Sequence, residues 1–265
     1  MDYETIIVDK ADAIATVTLN RPKALNSFTK RMLEEFAHLW RDIGEDDSIH
    51  VVVLRAARES RAFSTGHDIR ADQEPGGAIM HSNLWTSADP GEKLGPKHNR
   101  CWKPVITAVH GMACGGAFYW INESDILIAS EDATFFDPHV TYGMTAALEP
   151  IGARYRMPLG DVLRMTLLGN DERISARTAL RIGLVSEVLP IDGLWKRAHE
   201  LALKIAAKPP AAIQGSVRAI WESLDLPRQA ALQTALKYCF LGNPVGTAQV
   251  DRWSIMNAPK SFETR

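Results

Sequence analysis

Long apolar runs are missing from this sequence: no stretch of about eighteen such residues occurs, so a membrane-spanning helix is not expected. The opening residues, MDYETIIVDK, lack the basic region and apolar stretch of a secretory leader, and export by that route is not expected either. Cysteine is scarce. Cys101, Cys114 and Cys239 are odd in number and show no CxxC spacing, which argues against a disulfide framework or a cysteine-held metal and fits a reducing cytoplasm. Neither sign of charge dominates, because 30 Lys and Arg against 32 Asp and Glu leave a net charge of −2. Nothing there would draw nucleic acid or an anionic membrane surface. GMACGG, at 111–116, lacks both the GxGxxG spacing and the following acidic residue of a dinucleotide site. Internal repeats and low-complexity stretches are absent as well.

What is present is an ordinary globular composition, 46% apolar and 23% charged, over 265 residues. That length fills one large core with a small helical appendage. Residues 5–19 hold two β-branched runs around a polar turn at 10–12, the pattern of a hairpin. Met32, Leu33, Phe36, Leu39, Trp40 and Ile43 then fall on one helical face, with Thr29 as N-cap and Gly44 as the stop. Short apolar runs at 50–54, 105–109 and 126–128 read as buried strands, and strands alternating with helices make the chain α/β. Residues 73–99 read as a long irregular segment whose Met80, Leu84 and Trp85 either cover a site or form a surface loop. Helical patterns fill 162–168, 176–182, 194–207, 211–224 and 228–240, and Pro209, Pro210 and Pro227 separate the last three. The division expected is a core over 1–190 and a helical region over 191–265.

Two segments place small residues directly after a strand: Phe63-Ser64-Thr65-Gly66-His67-Asp68 and His110-Gly111-Met112-Ala113-Cys114-Gly115-Gly116-Ala117. Glycine there lets backbone approach a ligand, and N–H groups at a following helix start are donors for developing negative charge. Two such turns facing each other would form an oxyanion hole. The same residues would also serve tight strand-to-helix packing.

The ordered motifs LNRPKALNSF (19–28), AFSTGHDI (62–69), KPVITAVHGMACGGAF (103–118), SDILIAS (124–130) and ERISARTALRIGLVSEVL (172–189) resemble the enoyl-CoA hydratase/isomerase (crotonase) family over nearly the whole chain. The resemblance implies a spiral of ββα units, a helical C-terminal region that drives trimer formation, and a homotrimer or dimer of trimers. It implies an acyl-CoA substrate, with coenzyme A entering as part of that substrate and neither metal nor redox cofactor. Carried over position by position, the oxyanion donors fall on the backbone N–H groups of His67 and Gly116. Lys23, Ala24, Leu25, Ser64, Thr65 and Asp68 resemble the cradle for the adenosine and pantetheine parts of coenzyme A. Lys260 and Phe262 resemble residues that approach the nucleotide, sometimes from a neighbouring subunit.

The family's two hydratase glutamates are replaced here by Tyr119 and His139. Histidine can act as a base near neutral pH, and a phenol can orient water or donate a proton. Asp137, two residues before His139, can orient it or cap the turn at Pro138. Glu149 sits among apolar residues before Pro150, where its charged form is disfavoured, and it can serve as acid or base or as the negative end of a helix start. The reaction expected is hydration, dehydration or double-bond isomerisation through a thioester enolate. Alternatives are a decarboxylase resembling the methylmalonyl-CoA members, which needs little base, and a non-catalytic acyl-CoA binder. A peptidase of related fold is excluded because no Ser/His/Asp set occupies the corresponding turns. Trp120, with the apolar residues of 73–99, would line an acyl pocket or fill a core.

Overall fold

In the structure, a computed structural model that describes residues 1–71, 89–259 and 262–264, the first apolar runs pair as an antiparallel hairpin of Ile6–Ala11 (β1) and Ile14–Leu19 (β2). The turn is tighter and later than the expected 10–12. Asp12 and Ala13 form it alone, both left-handed at φ 53° and 60°, as a two-residue hairpin requires. Lys30–Glu45 (α1) follows, and Thr29 caps it by accepting from the Met32 N–H. Its predicted face is the buried one. Gly44 does not stop the helix: it lies inside, and the chain leaves at Asp46, whose N–H bonds back to Asp42 and Ile43. A glycine near a helix end costs only about 1 kcal/mol, which the buried face outweighs.

The fold repeats one unit. Val51–Ala56 (β3) leads to the short Ala62–Ser64 (β4), Val105–Val109 (β5) to Met112–Cys114 (β6), and Ile126–Ser130 (β7) to Thr134–Phe136 (β8). Each pair sends its first strand into a six-stranded sheet, completed by Glu187–Leu189 (β10) in the order β1-β2-β3-β5-β7-β10. The second strand joins a four-stranded sheet, completed by Ile174–Ser175 (β9) in the order β4-β6-β8-β9. β4, β6 and β8 run parallel, so their C-terminal ends open on one edge. This is the ββα spiral of the crotonase fold.

The helices after those ends are Gly91–Leu94 (α2), Phe118–Glu123 (α3) and Leu148–Ala153 (α4); Leu159–Leu168 (α5), Ala176–Arg181 (α6) and Ile191–Ala206 (α7) follow. Residues 72–88, with Met80, Leu84 and Trp85, lie outside the described residues. From Asp89 onward the segment read as irregular is ordered: Leu94 is fully buried, and its carbonyl accepts from Trp40 Nε1 at 2.8 Å. Trp120 belongs to the core rather than to a pocket, with Phe36, Phe28 and Phe63 ring centres 5.1, 6.0 and 6.1 Å away. Removing such a side chain costs about 3–5 kcal/mol.

Two compact units divide the chain, Met1–Ile205 and Ala206–Arg265. The division falls one helix later than residue 190, and α7 buries Leu194, Ala198 and Ala202. In the second unit Pro210–Glu222 (α8) packs on Arg228–Ala248 (α9), where Gly246 lies close against Ala212, and Arg252–Asn257 (α10) follows. α9 passes the expected end at Phe240 and carries Pro244 within it. No helix among the described residues is long and apolar enough to cross a membrane.

Candidate active site

The two small-residue turns sit side by side because β4 and β6 are hydrogen-bonded parallel neighbours. Gly66 has φ +78°, a conformation that suits glycine, and a Cβ there would meet the Gly116 nitrogen at 2.7 Å. A Cβ on Gly116 would strike the Phe28 ring at 2.5 Å. Gly115, at φ +52°, turns the chain so that Gly116 lies in the opening helical turn, where an N–H has no acceptor within the helix. The glycines therefore permit a backbone approach that any side chain would block.

Phe28 joins the two turns. It is buried, stacks on the His67 ring at 5.7 Å and 15°, and meets Tyr119 edge-on at 6.3 Å. Its N–H donates to Gly66 O at 2.7 Å, and its carbonyl accepts from Asp68 N at 3.0 Å. The preceding stretch is held by Asn26, left-handed at φ 52° and fully buried. Asn26 Nδ2 donates to Ser60 Oγ and Ala62 O, and Oδ1 accepts from Arg21 N. Three bonds satisfy the amide, each contributing about 1 kcal/mol.

The residues expected to cradle coenzyme A fall around this hub. Lys23 is exposed and Ala24 half-buried in a 3₁₀ turn, Pro22–Ala24, and the Leu25 carbonyl accepts from Thr65 N at 3.2 Å. Ser64 is fully buried, donating to Asn26 O at 2.8 Å and accepting from Gly66 N at 3.2 Å, so its hydroxyl shapes the turn. Asp68 Oδ2 pairs with Arg21 Nη2 at 3.0 Å. Burial would raise its pKa, but the Arg21 hydrogen bond and charge win and hold it below the ordinary carboxylate value. Phe262 lies exposed in the second unit, and Lys260 is outside the described residues.

Against the Gly115 turn stands an acid–base cluster. A Cβ at Gly115 would lie 3.6 Å from His139 Cε1. His139 Nδ1 is 2.6 Å from Asp137 Oδ1, which also accepts the His139 backbone N–H at 3.0 Å. A carboxylate only accepts, so Nδ1 carries the proton and Nε2 the lone pair in the neutral ring. Asp137 is fully buried, its hydrogen bond dominates over burial of the ring, and the His139 pKa is raised. Nε2 faces Glu149 Oε1 at 3.8 Å. That gap is too long for a direct bond.

Glu149 is positioned by α3. Gly152 lets α4 press against the Asn122 side chain, whose Nδ2 donates to the Glu149 carbonyl at 2.9 Å, and Arg156 Nη2 donates to Asn122 O at 2.8 Å. Glu149 is buried, and burial raises its pKa, with Asp137 and Asp89 adding to the rise and His139 opposing it. Tyr119 is half-buried, and a Cβ on Gly91 would meet its ring at 2.6 Å and Asp89 Oδ2 at 3.1 Å. Burial, then the charge of Glu149, pushes its phenol far above the ordinary value. The Asp137, His139 and Glu149 donor atoms all lie within 4.8 Å of one another, and the imidazole bridges the carboxylates. Each ring nitrogen thus faces a carboxylate, which makes an acid–base chain.

The family profile described as enoyl-CoA hydratase/isomerase matches residues 9–240. The chain belongs to that family of enzymes. Within it, the (E)-benzylidenesuccinyl-CoA hydratase of Thauera aromatica is 33% identical over 84% of both chains. The short-chain-enoyl-CoA hydratase of Clostridium acetobutylicum is 32% identical over 90% of this chain and 87% of that one. Among solved structures, an enoyl-CoA hydratase/isomerase from Mycobacterium paratuberculosis superposes with TM-score 0.86 at 34% identity, covering 96% of each chain. Against this family, Asp89, Phe28, Asn26 and Arg21 stand out as site residues that pattern reading missed. Phe28, Asn26 and Arg21 lie in the LNRPKALNSF motif, whereas the signal at Asp89 was only an acid before a proline and a helix start.

Proposed function

We propose that this enzyme acts on an acyl-CoA thioester through an enolate, adding water to a 2-enoyl group, removing it, or shifting its double bond. The observation that carries this reading is the adjacency of the paired glycine turns, Gly66 against Gly116, to the His139 ring beside Gly115. The thioester oxygen takes hydrogen bonds from the His67 and Gly116 N–H groups, each worth about 3 kcal/mol to the developing charge. His139 Nε2 removes a proton from water, the water oxygen bonds to the β-carbon, and the alkene electrons move onto the thioester oxygen. Glu149, whose pKa burial raises, then gives a proton to the α-carbon from its protonated form. The reverse sequence is dehydration, and the same proton moves without water shift a double bond. Coenzyme A enters as the carrier of the substrate, and the chemistry calls for no other group.

A homotrimer or dimer of trimers belongs to the same proposal, supported by the exposed Leu232, Leu236, Phe240 and Leu241 of α9. Light scattering on the full chain tests it, and a monomer at micromolar concentration removes it.

The chemical test incubates the protein with saturated, 2-enoyl, 3-enoyl and malonyl-type acyl-CoAs in heavy water and follows each thioester by mass spectrometry. Added water or a shifted double bond supports the reading. Carbon dioxide loss without either replaces it with decarboxylation, and tight binding with no change replaces it with a non-catalytic role.

A further inference from the structure

Two N–H groups act on one oxygen only while their separation is fixed, and here they come from turns that follow different strands, β4 and β6. The pairing of those strands reaches Ser64 and Ala113 and ends before either turn. Beyond that point Phe28 touches both.

Its backbone meets the first turn. Phe28 forms a parallel bridge with His67, donating its N–H to Gly66 O at 2.7 Å and accepting from Asp68 N at 3.0 Å. In such a bridge the facing residue turns its own N–H and carbonyl to the opposite side. The bonds on either side of His67 therefore set the direction of the His67 N–H.

Its ring meets the second turn. A Cβ built on Gly116 would fall 2.5 Å from Phe28 Cε1 and 2.7 Å from Cζ, so the Gly116 backbone lies against the rim of the ring. Tyr119 and Trp120, in the first turn of α3, meet the same ring edge-on at 6.3 and 6.0 Å, while the His67 ring stacks on its face at 5.7 Å. Behind it, Trp120 rests on Phe36 of α1 and Phe63 of β4. A close-packed interior leaves such a ring, 1% exposed, one place to sit.

We propose that Phe28 is a positioning residue for the reaction: its backbone aims the His67 N–H and its ring sets the place of the Gly116 N–H, so that both reach one thioester oxygen. This rests on the enolate reading above and assigns Phe28 neither a proton nor a bond to the substrate. Replacing the side chain leaves the backbone bridge to His67 in place and loosens the Gly116 donor. Stabilisation of the enolate should then suffer while binding of the thioester persists.

The test uses the full chain with two probes. Acetoacetyl-CoA is a β-keto thioester whose enolate absorbs in the near ultraviolet, so titrating that band gives the ionisation constant of the bound probe; butyryl-CoA in heavy water reports deuterium uptake at the α-carbon. In Phe28→Leu the ionisation constant should fall and uptake should slow, each by about tenfold or more, with the dissociation constant of butyryl-CoA within about twofold. Phe36→Leu removes a phenyl from the same aromatic cluster without touching either turn, and should lower the melting temperature by a few degrees with both readouts unchanged. Phe28→Met, which fills more of the space, takes the place of Phe28→Leu if that variant does not fold. Phe28 variants that ionise and exchange as the unmodified chain does overturn the assignment, as do losses no larger than those of Phe36→Leu, or the failure of both Phe28 variants to fold. Each of these makes Phe28 a core residue alone and leaves the enolate reading standing. If the unmodified chain itself neither ionises acetoacetyl-CoA nor exchanges deuterium, the enolate reading falls and the assignment falls with it.

Discussion

His139 and Asp137 form a two-point contact: a single carboxylate oxygen accepts both the ring Nδ1–H, at 2.6 Å, and the backbone N–H of the same histidine, at 3.0 Å. The bonds fix the ring plane as well as the tautomer, which aims the Nε2 lone pair toward Glu149.

The hydrogen bond to Asp137 is the largest reason that the His139 pKa is raised, and the Asp137 charge adds to it. A base must be deprotonated to work, so activity should fall on the acid side as His139 gains its proton. Asp137→Asn removes the charge while keeping the shape, and the acid limb of kcat/KM should move to lower pH, with kcat about tenfold lower or more. Ring-proton NMR of His139 reads the same shift directly. The sign for stability is opposite to that for activity. A histidine raised in the folded state stabilises most below its unfolded pKa and loses that contribution as pH climbs through the folded one. A limb that does not move removes the dyad.

In the proposed addition of water Glu149 acts in its protonated form, and burial raises its pKa. Activity should therefore fall once Glu149 ionises, as it falls once His139 is protonated. Glu149→Gln should lose about a hundredfold or more in kcat with little change in KM. A variant that keeps the basic limb would assign it to another group.

Gly66→Ala tests the paired turns. The φ of +78° costs an L side chain about 1–2 kcal/mol, and the new Cβ would press on the Gly116 nitrogen at 2.7 Å. Moving that N–H should lower kcat about a hundredfold, the scale of one lost oxyanion donor, while a thermal melt falls by only a few degrees. Full activity in a folded Gly66→Ala protein would remove these turns from the chemistry.

Much of this was legible in the chain. Thr29 capping a one-sided helix, and the apolar runs at 50–54 and 105–109 that became β3 and β5, follow from local period and composition. The strands β4, β6 and β8 were not, since three residues are too few for a period to register. They are set by pairing along the edge of a sheet that forms elsewhere. Asp137 beside His139 was readable because the contact spans two positions. Asp89 beside Tyr119 was not, because it depends on where α2 docks against α3. Arg21 with Asp68 depends in the same way on the left-handed pair Leu25 and Asn26 bringing the chain back.

That last pair carries a prediction about the hub. Arg21 Nη2 holds Asp68 at 3.0 Å, and its Nη1 donates to the Ser27 carbonyl just before Phe28. Asp68 N is in turn bonded to Phe28 O, so one guanidinium closes a ring around the residue that joins the two turns. Arg21→Met keeps the stem and removes the donors, leaving a partly buried carboxylate without its partner, a loss of about 1–3 kcal/mol. Because Arg21 holds the Asp68 pKa down, that stability is present above the unfolded carboxylate pKa and lost as pH falls through the folded one. Denaturant melts should thus separate the Arg21→Met and unmodified proteins near neutral pH and bring them together on acidification. A gap that is independent of pH would mean that the guanidinium acts through the Ser27 carbonyl alone. In that case Asp68→Asn should leave stability unchanged.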